Sequence, residues 1–177
     1  YEADVHITYR RSREQVAAIT DATGASAIRS ELSEALAAFS PEVVLRISYF
    51  EEDEAYLRQL VREAYLSDPA SALGMPEAEI AMYPESGPRR IVEILLTYPD
   101  TPETLHRKSV QLIQQAQQLT ASLVGQTADT AVQSLQTLLR QRVEYLPTPQ
   151  PGCSTAYSAL MENRADSEGL ALAFQLL

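Results

Sequence analysis

Ser154-Thr155-Ala156-Tyr157-Ser158-Ala159-Leu160, then Ala165-Asp166-Ser167-Glu168-Gly169-Leu170-Ala171-Leu172-Ala173-Phe174-Gln175-Leu176-Leu177, carries the most informative pattern in the chain. Asp and Ser are favoured helix N-caps, because their side-chain oxygens accept orphan backbone N–H groups. Asp166-Ser167-Glu168 is therefore an ordinary helix start on local pattern. Leu170, Phe174 and Leu177 follow i, i+4 and i+7 spacing, which predicts that they form the buried face of a helix running from Ser167 to Leu177. Gly169, in the first turn, permits close packing.

Working back toward the amino terminus, Val143-Glu144-Tyr145-Leu146 with Pro147, Pro149, Pro151 and Gly152 reads as a loop. Before it, a helix starting near Thr127-Ala128-Asp129 carries Ala131, Val132, Leu135, Leu138, Leu139 and Val143 inward. A preceding helix from Leu105 extends to about Val124 and stops at Gly125, with Leu105, Leu112, Ile113, Ala116 and Leu119 on its apolar face. Glutamines recur along it (Gln111, Gln114, Gln115, Gln117, Gln118), and they read as a solvated face.

The first hundred residues repeat a strand-then-helix pattern. Val5–Tyr9, Val44–Phe50 and Ile91–Tyr98 are apolar or alternating. Each is followed by a cap signal at Ser12, Asp53 or Thr101. Ser12 with Gln15 fits a capping box, and Pro102 fits the first helical position. Leu57, Leu60, Val61, Ala64 and Tyr65 line one face of the second helix. The first helical stretch is expected to break near Gly24 and resume through Ile28, Leu32, Ala35, Leu36 and Phe39 to Pro41. Ile80-Ala81-Met82-Tyr83 reads as a short strand, turning through Pro84–Pro88 into the strand at Ile91. Strands are thus predicted near 4–9, 43–50, 78–83 and 90–98. The fold class is α+β: a small mixed sheet covered by helices over residues 1–122, then a helical segment over 123–177.

Composition narrows the function. The net charge is -10, from 14 basic and 24 acidic residues, so a phosphate backbone is repelled at long range and nucleic-acid binding is disfavoured. No apolar run approaches the roughly 18 residues needed to span a bilayer, which argues against direct membrane insertion. The single cysteine, Cys153, forms no internal disulfide. Cys153, His6 and His106 match no zinc spacing, so no metal or cofactor is expected, and both histidines read as structural or surface residues. Cys153 follows Pro151-Gly152 in a loop, with no helix N-terminus to activate it as a nucleophile.

The stretch quoted first resembles the nucleophile segment of the transglutaminase-like superfamily, the papain-type cysteine enzymes. In that family a Thr-Ala-Tyr-x-Ala-Leu run leads into a Cys-Glu-Gly that opens a buried helix. Here the corresponding residues are Ser167-Glu168-Gly169. The resemblance covers roughly residues 127–177, including Val143-Glu144-Tyr145, which is similar to the family's "Val-x-Tyr". It implies that residues 123–177 are the front half of a transglutaminase-like core, preceded by an accessory domain of the kind found in bacterial envelope proteins.

The resemblance also implies a chemistry, and Ser167 alters it. A cysteine at a helix N-terminus is activated by the partial positive charge there, helped by a histidine and an aspartate. In the family those two residues would follow Leu177. Ser167 stands at the nucleophile position and Tyr157 is a candidate oxyanion contact, with a buried core tyrosine as the alternative. The helix dipole contributes about 0.3–1 kcal/mol, up to about 2. At about 1.4 kcal/mol per pKa unit, that is far too little to ionise a serine hydroxyl. The expectation is a catalytically inactive binding or scaffolding module at the bacterial cell envelope, with a protein or peptide ligand. The alternatives are a peptide or amide hydrolase, or an acyltransferase, whose nucleophile is Ser167, or a native cysteine there, with the histidine and aspartate supplied after residue 177, and, for location, the cytoplasm. The family's loop also predicts that the Ser167 side chain lies near Tyr157 or the Thr155 backbone.

Overall fold

The computed structural model describes residues 11–17, 19–49 and 51–177. The strand expected near 4–9, and His6, lie outside these residues. The described chain opens with α1 (Arg13–Ala17), β1 (Thr20–Thr23), α2 (Gly24–Ala37), β2 (Glu42–Ser48) and α3 (Glu54–Ser67). A hairpin of β3 (Glu77–Tyr83) and β4 (Arg89–Thr97) follows, then α4 (Pro102–Thr120) and a single 3-10 turn, Ala121–Leu123. The chain continues through α5 (Ala128–Arg142), β5 (Glu144–Tyr145), α6 (Ala156–Met161), β6 (Arg164–Ala165) and α7 (Ser167–Leu176). The architecture is α+β.

The main sheet has strand order β1-β2-β4-β3 and is mixed. β1 runs parallel to β2, while β4 is antiparallel to both β2 and β3. Alternation sets its buried face: Val43, Leu45 and Ile47 from β2, with Val92, Ile94 and Leu96 from β4, turn inward. Ile28, Leu32 and Leu36 of α2, with Leu57, Leu60 and Val61 of α3, cover that face. The α3 stripe is the one its spacing predicts, Leu57, Leu60, Val61, Ala64 and Tyr65 all being buried. Its cap is also the predicted residue, Asp53 accepting the Tyr56 N–H at 3.0 Å. At α1, Ser12 and Gln15 form the reciprocal capping pair.

Several sequence expectations need correction. The break near Gly24 is a strand: Thr20–Thr23 pairs with Leu45–Ser48, and Gly24, at φ +78°, turns the chain into α2. Phe39 lies beyond α2, at φ 51°, still buried. β2 stops at Ser48 because Tyr49 takes φ 58° and donates its N–H to the Pro88 carbonyl at 2.6 Å. α4 ends at Thr120, tightening into the 3-10 turn before Gly125 at φ 87°. Ile113 and Val132, expected inward, are exposed. The 143–152 loop contains β5, which pairs parallel with β6.

Residues 123–177 pack onto the rest through α4 and α3. Leu105 and Leu112 of α4 join the same buried cluster as Ala156, Ala159 and Leu160 of α6 and Leu172 and Ala173 of α7. Between α3 and α7, Arg62 pairs with Glu168, and the Gln175 amide donates to the Ser67 carbonyl at 3.4 Å.

Candidate functional site

The site residues lie at the junction of α6, β6 and α7. Thr155 caps α6 with a reciprocal box: Ser158 N–H donates to Thr155 Oγ1 at 3.0 Å, and Thr155 N–H to Ser158 Oγ at 3.4 Å. Both side chains are buried, so the box satisfies donors that water cannot reach. Asp166 caps α7. Its carboxylate accepts the Gly169 N–H at 2.9 Å and a short hydrogen bond from the Ser154 hydroxyl. Its own N–H donates to the Cys153 carbonyl at 3.1 Å.

That Cys153 carbonyl explains Gly169. A Cβ there would stand 2.6 Å from the Cys153 oxygen, 3.0 Å from the Thr155 nitrogen and 3.0 Å from Ala165 Cβ. Only a glycine lets the first turn of α7 approach the 153–155 backbone this closely. The close packing expected of Gly169 is present. Cys153 is a free thiol, 2% exposed, so it is an interior residue.

Ser167 is the first residue of α7, as expected, and is exposed. Its hydroxyl partner differs from the expectation. Ser167 Oγ lies 3.1 Å from the Tyr145 hydroxyl. Tyr157 instead faces α4: it is half-buried, with the Lys108 ammonium 5.5 Å from its ring centroid. Lys108 also donates to Asp100 at 2.6 Å. The reason is β5. Pairing of Glu144–Tyr145 with Arg164–Ala165 carries Tyr145 to the start of α7, while the α6 cap turns Tyr157 toward the other side.

The inward face of α7 is also rolled from the predicted one. Gly169, Leu172 and Ala173 are buried, whereas Leu170 and Leu177 are half-buried, Ala171 is exposed and Phe174 is 37% exposed. The Gly169 contact fixes the rotation of the helix before its larger side chains can choose it. Leu170, Ala171 and Phe174 consequently line an open groove against Leu139, Val143 and Tyr145, of about 480 Å³.

No histidine or carboxylate is hydrogen-bonded to Ser167 Oγ among the described residues. His106 is on the exposed side of α4, its ring edge-on to Phe39 at 4.9 Å between centroids. No cluster of three His, Cys, Asp or Glu side chains suited to a metal occurs among the described residues. The residue that sequence reasoning missed is Tyr145, for which the Val143-Glu144-Tyr145 pattern was the available signal. The Arg62–Glu168 pair had none, its members lying 106 positions apart. No family model, curated protein or solved structure matches this chain.

Proposed function

We propose that this chain is a transglutaminase-like protein that no longer catalyses, and that it serves as a protein- or peptide-binding module at the bacterial cell envelope. The observation that carries the reading is the setting of Ser167. It occupies the first turn of an Asp-capped helix, where the resemblance expects a nucleophilic cysteine. Among the described residues its hydroxyl meets only another hydroxyl, that of Tyr145. A serine there needs a base to lose its proton, because the helix N-terminus alone supplies about 2 kcal/mol at most. Gly169 against the Cys153 carbonyl adds support, since a backbone folded over the start of the helix is what the resemblance implies. The envelope location rests on the resemblance alone.

The test is a pair of assays on the 177-residue chain. Amide hydrolysis and acyl transfer from glutamine peptides should both be undetectable, and Ser167→Cys should stay inactive, because no histidine or carboxylate among the described residues is hydrogen-bonded to the side chain at position 167. Hydrolysis that disappears in Ser167→Ala, or labelling of Ser167 by a serine-directed phosphonate, would replace this reading with that of a hydrolase or acyltransferase.

A further inference from the structure

We propose that the groove between α5 and α7, together with the outer edge of β5, is one docking site for an extended peptide that presents a bulky apolar side chain beside a carboxylate. The proposal rests on the binding-module reading and names its site and ligand chemistry. Three observations carry it.

First, the groove is apolar and open. Leu139, Val143, Leu170, Ala171 and Phe174 form its walls, and about 480 Å³ falls within the roughly 300–1,000 Å³ typical of clefts that hold ligands. Second, β5 is an edge strand. Glu144 and Leu146 donate their N–H groups toward β6, to Asn163 and Ala165, each at 2.8 Å. Alternation therefore directs the Tyr145 N–H and C=O away from β6, and Tyr145 itself lines the groove. An added strand finds backbone partners there and sets alternate side chains into the groove, as in other cases of strand addition.

Third, the groove carries one cation. Arg140 lines it and has no carboxylate partner among the described residues, whereas Arg142, on the same turn, donates to the Leu160 carbonyl at 3.3 Å. In a chain of net charge -10, an arginine without a carboxylate partner among the described residues, beside apolar walls, favours a ligand carboxylate. At physiological salt, charges farther than about 8 Å from a bound peptide are largely screened, so the overall negative charge opposes an acidic peptide only weakly.

Fluorescence anisotropy at about 0.15 M salt tests this with two fluorescein-labelled hexapeptides, one alternating phenylalanine and aspartate, the other phenylalanine and lysine. The aspartate peptide should bind saturably and at least about tenfold more tightly than the lysine peptide, the scale of one charge-assisted contact. Ala171→Arg, at an exposed wall position, should weaken it by at least about tenfold. Arg140→Glu should reverse the preference between the two peptides. That reversal decides the matter even if Ala171→Arg fails to fold by circular dichroism. No saturable binding of the aspartate peptide, equal binding of both peptides, or an unchanged preference in Arg140→Glu overturns the proposal. Binding that survives both substitutions removes this groove while leaving the binding-module reading intact. Ser167-dependent hydrolysis removes that reading whatever the peptides do.

Discussion

Helices α3 and α7 begin alike and end differently. Each is capped by an aspartate whose carboxylate accepts a backbone N–H in the first turn, Asp53 from Tyr56 and Asp166 from Gly169. Each has an apolar stripe legible in the sequence. In α3 the stripe is the buried face. In α7 it is so only in part: Phe174 is exposed and Leu170 and Leu177 are half-buried against the core, while Gly169, Leu172 and Ala173 are covered. Burial of large side chains sets the roll of α3. A backbone contact sets the roll of α7, because Gly169 must meet the Cys153 carbonyl and no other face of the first turn can.

The contrast is sharpest between one large side chain on each helix. Leu60 is 1% exposed beneath the sheet, and Phe174 is 37% exposed on the groove wall. Leu60→Ala should cost about 2–5 kcal/mol, the range for a buried leucine replaced by alanine. Phe174→Ala should cost less, about 1–2 kcal/mol, because more than a third of the phenylalanine already stands in water in the folded state. Urea unfolding of both variants measures the pair. Equal losses would mean that α7 buries its apolar stripe after all.

Much of α3's environment was readable because regular alternation and regular spacing reinforce each other. β2, β3 and β4 fall within two residues of the predicted bounds, since Val43, Leu45 and Ile47 alternate with polar neighbours. β1 escaped because Thr20-Asp21-Ala22-Thr23 has one buried side chain, Ala22, and gains its place only by pairing with β2. The start of α7 was readable from Asp166-Ser167-Glu168-Gly169, and so was the close approach at Gly169. Its roll and its Tyr145 partner were not, because both depend on where β5 pairs with β6, a contact between segments twenty residues apart.

Tyr65 makes the α3 side sensitive to alkali. Burial pushes its hydroxyl up to about 12, against the opposing effect of the Gly74 N–H, which donates to the same oxygen at 3.1 Å. The folded state thus holds the neutral phenol above the ordinary value of about 10. Its contribution is complete below pH 10 and is lost as pH rises through 12. That corresponds to about 2–3 kcal/mol. Tyr98, also raised to about 12 by burial, acts in the same direction, with a smaller effect because it is only half-buried. Unfolding free energies from pH 9 to 11.5 should fall steeply in the native chain and more gently in Tyr65→Phe. Parallel curves would remove Tyr65 from the account.

On α7 the corresponding lever is Gly169→Ala. In an exposed helix this change gains up to about 1 kcal/mol of propensity. Here the new methyl group meets the Cys153 carbonyl, and overpacking of that kind costs about 1–3 kcal/mol. The net effect should be destabilising, with increased protease cleavage near residue 153 as the loop is pushed off the helix. A stabilised Gly169→Ala would show that the close approach does not set the roll of α7.

The smallest effect tests whether the two helices hold each other. Arg62 of α3 and Glu168 of α7 form an ion pair at the surface, their side chains 54% and 33% exposed. Exposed pairs are worth roughly 0–1 kcal/mol, and salt screens them. A double-mutant cycle of Arg62→Ala and Glu168→Ala should therefore return a coupling below about 1 kcal/mol that fades by about 1 M salt. A larger, salt-insensitive coupling would mean that the pair is dry and that α3 positions the start of α7 directly. Ser167, one residue before Glu168, would then owe its place to the sheet-covering helix as well as to its own cap. A weak coupling leaves Asp166 and Gly169 as the determinants of where that hydroxyl stands.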